Sequence, residues 1–426
     1  NLSYVPRPMT PRRILLADAD AFFVAVARMA DPEGAGRAPL LIVGGRPNSR
    51  GVVCSASYET RAYGVRSAMP IAQALRLCPD ALCVPVPRAA CTTTSRAIGA
   101  VLQRFTPVVQ AASIDEWYLD LSGTEALYAP ESFEQTAQRI RATVHHETGI
   151  WLSLGGGTSK LIAKLAAEKA KPRAGVGGNG VHLVPEGDEA TFMRGCALAE
   201  IPGVGPKLQT KLASLGLERV PDVLSVDPQT LGRWLGTRPA AWLRERCLGR
   251  HEAPVEGRAP AKQVSRETTF DRDIRDVRAI AVTLRSLATR VASELRTERL
   301  AARTITVKIK DADFTTRLAS TTVADPVESD RAIADLAIAL LARLRKARTV
   351  PARLIGVSCG GLVPRPDAEQ LGLFAPPARG TVASDAASDA ARTAPIPAER
   401  PEDRAVSRAV DRVRERFGND AIRYGV

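Results

Sequence analysis

Ser113-Ile114-Asp115-Glu116-Trp117-Tyr118-Leu119-Asp120-Leu121 decides how this chain folds and what it can do. Two adjacent carboxylates stand inside residues 108–121, a segment that reads as two strands around a turn. Successive strand residues face opposite sides of a sheet, whereas neighbours at a tight turn can reach one site together. Far upstream, Arg13-Ile14-Leu15-Leu16-Ala17-Asp18-Ala19 reads as a buried strand ending in a third carboxylate. Hard oxygen ligands suit magnesium, and two ions about 3.5–4 Å apart need carboxylates that bridge them. Acids at strand ends are also common as solvated turn residues, so the weight falls on what surrounds these three.

Outward from the acids, strands and helices mix. Residues 20–29 have helical spacing, a Pro/Gly-rich stretch covers 32–39, and 40–43 and 51–55 read as short strands. Residues 71–77 and 93–105 read as helices, 132–147 as an amphipathic helix, 151–155 as a strand and 159–171 as another helix. This is α+β texture. From about Leu198 the helices are short and broken by Gly and Pro, and 253–261 reads as an interdomain linker. Residues 262–363 then alternate helices (277–298, 331–348) with strands (304–310, 354–359). After Pro364 the Ala/Pro/Asp/Ser-rich composition reads as mostly disordered, closed by a charged amphipathic segment at 403–417.

At 426 residues the chain is too long for one core, and two to four domains are expected. The net charge of +13 and pI near 9.8 call for a polyanionic partner, nucleic acid or an anionic membrane surface. The excess concentrates in 262–363, with about twenty Lys and Arg against about a dozen acids. No run of 18 apolar residues is present, which excludes a spanning helix, and no apolar segment follows the first arginines as in a signal peptide. The seven cysteines are scattered among apolar neighbours, as suits reduced thiols in a cytosol, and neither they nor the four histidines have zinc spacing.

Around the acids stand Asp18-Ala19-Asp20-Ala21-Phe22-Phe23, then Ser57-Tyr58-Glu59-Thr60-Arg61-Ala62-Tyr63-Gly64-Val65-Arg66-Ser67-Ala68-Met69-Pro70. Gly157-Thr158-Ser159-Lys160 and Lys169-Ala170-Lys171-Pro172 follow. With these motifs in this order, from about Ile14 to Leu362, the chain resembles the Y-family DNA polymerases, most closely the bacterial DNA polymerase IV group. The resemblance implies a right hand: a ferredoxin-like palm (1–20 and 88–178), small fingers (21–87), a helical thumb (179–254), a linker (255–262), an α/β little finger (263–364) and a tail (365–426).

It also implies roles for single residues. Asp18 and Asp115 match the metal-binding aspartates, Glu116 the catalytic glutamate, and the Ala19 carbonyl a further ligand to two magnesium ions. Phe23 matches the steric gate beneath the incoming sugar, with Phe22 beside it; Ser55, Tyr58, Arg61 and Lys171 match the residues that hold the deoxynucleotide. A planar guanidinium and a lysine are what a triphosphate needs. Ile201-Pro202-Gly203-Val204-Gly205-Pro206-Lys207-Leu208 reads as a helix–hairpin–helix, in which Gly203, Val204, Gly205 and Lys207 meet DNA phosphates. Ser265-Arg266-Glu267-Thr268-Thr269-Phe270 places Arg266 on DNA in the little finger, and Gln370, Leu371, Leu373 and Phe374 look like a sliding-clamp peptide. The implied partners are primer–template DNA, deoxynucleotides and the clamp, for a monomer working at the nucleoid in a bacterial cytoplasm. Trp117 departs from the small residue usual after the acidic pair, as Ala21 and Cys91 depart from larger ones. A catalytically weak or inactive homologue acting as a DNA-bound scaffold shares the architecture, and a nucleotidyl cyclase shares paired carboxylates on such a palm. The three intact acids stand against the first, and the duplex-gripping modules against the second.

Overall fold

Ile14–Ala19 is buried at every position and forms β1, the central strand of a five-stranded sheet in the computed structural model. The structure describes residues 12–47, 49–172, 179–257, 260–365, 399–418 and 421–422. Two units divide the chain, Asn1–Ala259 and Pro260–Val426.

In the first unit, α1 (Phe22–Ala30) follows β1 and leads to a small sheet of β2 (Leu41–Gly44), β3 (Val53–Ala56) and β4 (Leu82–Pro85), in the order β3-β2-β4. Between β3 and β4 lie α2 (Tyr58–Ala62) and α3 (Ile71–Leu77). Helix α4 (Arg88–Leu102) returns to the main sheet, which β5 (Val109–Ala111) and β6 (Glu116–Asp120) continue. After α5 (Glu125–Tyr128) and α6 (Phe133–Thr148) come β7 (Leu152–Gly157), α7 (Lys160–Ala170) and β8 (Val181–Leu183). The sheet order is β5-β6-β1-β7-β8. Its strand alternation makes two faces. Leu15, Ala17, Trp117 and Leu119 pack with α4 and α6, whereas Ile14 and Leu16 pack with Ala163 and Ala167 of α7.

A glycine strand lets α7 lie this close. A Cβ on Gly155 would come within 1.9 Å of the Ala167 nitrogen and 2.2 Å of the Ala163 carbonyl oxygen. The opposite side of α7, through Leu161, Ile162 and Leu165, packs with α8 (Glu189–Arg194), α9 (Pro206–Ser214), α10 (Val220–Ser225), α11 (Pro228–Leu235) and α12 (Thr237–Cys247). Residues 253–257 form no helix or strand, but Val255 is buried against Ile14 and Leu16, so this part of the expected linker is docked.

The second unit is a four-stranded antiparallel sheet of β9 (Gln263–Ile274), β10 (Leu300–Asp311), β11 (Thr316–Val327) and β12 (Ala352–Pro364), in the order β11-β10-β12-β9. Helices α13 (Val277–Thr297) and α14 (Asp330–Ala347) cover one face and enclose the core. The region expected to be mostly disordered contains a helix, α15 (Pro401–Phe417), folded against α14. Its docking is polar. Asp411 receives two bonds from Arg296 at 2.6 and 2.8 Å, Arg408 pairs with Glu328 at 2.9 Å, and Ser407 accepts from the Asp330 amide at 3.1 Å. Among the described residues, no helix is long and apolar enough to cross a membrane.

Candidate active site

Asp18 and Glu116 are direct cross-strand partners in the β1–β6 ladder, so their side chains share one face. Asp115 precedes β6, and its carbonyl accepts from the Ala19 amide at 2.9 Å. The Ser113 hydroxyl holds the Asp115 carboxylate. Burial pushes the Asp18 carboxyl up to about 7, although Lys171 stands 3.0 Å away and opposes the shift. Carboxylate repulsion is thus met by separate partners: Lys171 for Asp18, Ser113 for Asp115, and Lys164 at 2.6 Å for Glu116. Among the described residues no ready-made cage of three metal-ligating side chains is assembled.

All ten residues expected around the nucleotide line one cleft of about 490 Å³: Asp18, Ala19, Phe22, Phe23, Ser55, Tyr58, Arg61, Asp115, Glu116 and Lys171. Local structure explains how each arrives. Ala21 caps α1 with φ 44 and ψ 42, a left-handed turn that swings the chain from β1 into the helix. That turn sends Phe22, 2% exposed, into the core beside α4 and leaves Phe23 half-buried at the cleft. On the other wall, Ser57 caps α2 by accepting from the Thr60 amide, and the Leu41 amide bonds to the Ser57 and Thr60 hydroxyls. Pinned this way, α2 presents Tyr58 and Arg61 together, the guanidinium 4.8 Å from the ring centroid and Nε bonded to the Ala56 carbonyl at 2.9 Å. Burial raises the Tyr58 phenol, and the Asp18 and Glu168 carboxylates raise the Lys171 ammonium against its own burial.

Sequence reasoning did not place Ala21, Cys54, Val65, Arg66 and Ser67 at the site, and these five complete the lining. Arg66 and Ser67 were visible in the quoted motif, and their separation from Arg61 by a glycine turn hid their convergence. Trp117 does not crowd the acids. It is 3% exposed on the opposite face of β6, packed over Gly99 of α4, where even a Cβ would meet Nε1 in ordinary contact at 3.5 Å.

The remaining candidates lie elsewhere. Gly203, at φ 99, sits under Trp242; Val204 is buried; and Gly205 caps α9 with no side-chain bond, leaving amides and exposed Lys207 at the helix start. Arg266 pairs with buried Val357 in register, and its guanidinium meets Glu294 of α13 at 2.5 Å. It therefore stands on the helix-covered side of its sheet and not on the open one, because strand alternation turns Ser265 and Glu267 outward instead. The open face carries Thr304, Thr306, Lys308 and Lys310 of β10 beside Thr322, Ser320, Leu318 and Thr316 of β11, a hydroxyl and lysine surface that the sequence reading did not resolve. Gln370, Leu371, Leu373 and Phe374 lie outside the described residues.

A sheet tipped with three carboxylates, an opposing arginine–tyrosine wall, a helix–hairpin–helix module and a separate four-stranded unit together define a nucleotidyl-transferring polymerase. Residues 17–168 match the impB/mucB/samB family and residues 261–373 its C-terminal domain. DNA polymerase IV of Halorhodospira halophila is 36% identical over 363 residues, covering 85% of this chain and 99% of that protein. DNA polymerase IV of Alkalilimnicola ehrlichii is 36% identical over 368 residues, covering 86% and 100%. Among solved structures, a Y-family DNA polymerase chimera of Dbh and Dpo4 superposes with a TM-score of 0.73 at 25% identity, over 82% of this chain and 99% of that one. DinB from Sulfolobus solfataricus gives 0.55 at 26% identity, over 83% and 100%. The chain belongs to the Y family of DNA polymerases, in the DNA polymerase IV group. It is a template-directed DNA polymerase of the low-fidelity, lesion-bypass kind.

Proposed function

We propose that the cleft joins a deoxynucleotide to the 3′-hydroxyl of a primer, with two magnesium ions held by Asp18, Asp115, Glu116 and the Ala19 carbonyl. Y-family polymerases depend on divalent metal, and the donor set fits magnesium: hard oxygens only, one of them a carboxyl that burial raises to about 7 and whose ionised form a bound cation would favour. Bound there, the ions would lower the pKa of the primer hydroxyl and offset charge on the phosphates. The chain's own groups do the rest. Arg61, Lys171 and the Tyr58 and Ser55 hydroxyls, which line the same cleft, grip the triphosphate. Phe23 lies where the sugar passes and offers a 2′-hydroxyl neither space nor a partner. Primer–template DNA is held through its backbone by Gly203, Val204, Gly205 and Lys207 and by the open face around Lys308 and Lys310. The Gln370, Leu371, Leu373 and Phe374 peptide docks the enzyme, as a monomer, on a sliding clamp at the nucleoid.

The observation that carries this reading is the convergence of three carboxylates and the arginine–tyrosine–lysine set on one cleft. Primers ending before each of the four template bases test it. The added nucleotide follows the template, and a chelator stops addition; untemplated or chelator-resistant addition contradicts the reading.

A further inference from the structure

Helix α7 supplies a second lysine to the carboxylates. The Lys164 ammonium donates to Glu116 Oε1 at 2.6 Å, with side-chain exposures of 29% and 23%. Glu116 lines the cleft, and Lys164 does not. The lysine thus meets the carboxylate from the α7 side and occupies one of its two oxygens.

The two partners differ in freedom. Lys164 springs from a helix fixed on both sides, its neighbour Ala163 and the next-turn Ala167 resting on Gly155, where no Cβ fits. The Glu116 side chain has three rotatable bonds, and among the described residues Lys164 provides the hydrogen bond to its carboxylate. A charge-assisted bond to a rigid helix removes that freedom. Seven residues on, just past the end of α7, Lys171 reaches Asp18 at 3.0 Å, so the helix and the residue that follows it set two lysines against the two paired acids.

We propose that Lys164 is a positioning residue for this polymerase: it holds Glu116 from behind so that the carboxylate faces the reacting groups. The inference rests on the reading of Glu116 as a catalytic group. A merely structural ion pair at this exposure contributes little and leaves turnover alone, whereas displacing a reacting group by about 1 Å lowers rate by about a hundredfold.

Lys164→Gln, Glu116→Gln and the double variant distinguish these cases, with Lys164→Arg as rescue. Single-turnover incorporation by Lys164→Gln falls about ten- to a hundredfold, while nucleotide KM and primer–template Kd stay within about twofold. In the Glu116→Gln background the same change produces no further loss, because the lysine acts through the glutamate. Lys164→Arg recovers most of the rate. Independently of turnover, the 15N signal of the Lys164 ammonium shifts in Glu116→Gln and stays in place in Asp115→Asn. Unchanged rate, additive losses, or a loss explained by weaker DNA binding would each overturn the inference. Full activity of Glu116→Gln would instead overturn the reading of the cleft itself, and the inference with it.

Discussion

Ala21 occupies a left-handed conformation that disfavours side chains by roughly 1–2 kcal/mol, and the strained turn separates two adjacent phenylalanines by function. Phe22 lies in the core, and its ring meets that of Phe23 edge-on at 5.5 Å. Phe23→Ala therefore opens room beside the sugar, and ribonucleotide incorporation rises by orders of magnitude, since overlap excludes more strongly than the ~1–3 kcal/mol of one methylene in a pocket. Deoxynucleotide incorporation falls much less. Phe22→Ala loses about 3–5 kcal/mol of stability with sugar choice unchanged, as read by thermal melting and by paired incorporation assays. Equal discrimination by Phe23→Ala and the parent would return Phe23 to the core. The roles of both rings, and of every cleft residue expected, came from the family resemblance that the ordered motifs carry, and those residues line one cleft. Lys164 was not legible in the sequence. A lysine on an amphipathic helix reads as a solvated face, and only the glycine seat of α7 turns it toward Glu116.

Two long strands that sequence reading missed, β9 and β11, share one physical cause: their covered faces are not purely apolar. Strand β11, Thr316–Val327, alternates half-buried Arg317, Ala319 and Thr321 with exposed Leu318, Ser320 and Thr322, so its period of two is masked by inverted polarity. Strand β9 likewise places Arg266 on the covered side. Helix α15 coincides with the charged amphipathic segment read at 403–417, and it docks through Ser407, Arg408 and Asp411 and not through an apolar stripe. Asp411→Ala leaves Arg296, 6% exposed, with Asp330 and the Glu328 carbonyl but without its bidentate partner. The change should lower stability by about 1–3 kcal/mol and speed protease cleavage within 399–418. An unchanged melting temperature and cleavage pattern would mean that the helix is held by something other than this network.

Across the whole chain, the +13 charge narrowed the partner to a polyanion, nucleic acid or an anionic membrane surface, and the division between the two units at Ala259 and Pro260 falls inside the stretch read as a linker at 253–261. Two hydrophobic anchors in the polar stretch that holds Gln370, Leu371, Leu373 and Phe374 call for a partner to cover them. Deleting 370–374 should leave distributive synthesis unchanged and eliminate stimulation by a sliding clamp; equal stimulation before and after deletion would refute that role. The central claim is that Asp18, Asp115 and Glu116 serve chemistry and not the grip on DNA. It is tested most directly by single-turnover primer extension, run beside fluorescence anisotropy of primer–template binding, on the parent, Asp115→Ala and Glu116→Gln. Both variants are expected to lose at least about a hundredfold in rate while binding DNA within about twofold of the parent. Either variant keeping more than about a tenth of the parent rate, or losing DNA affinity in step with rate, would contradict it.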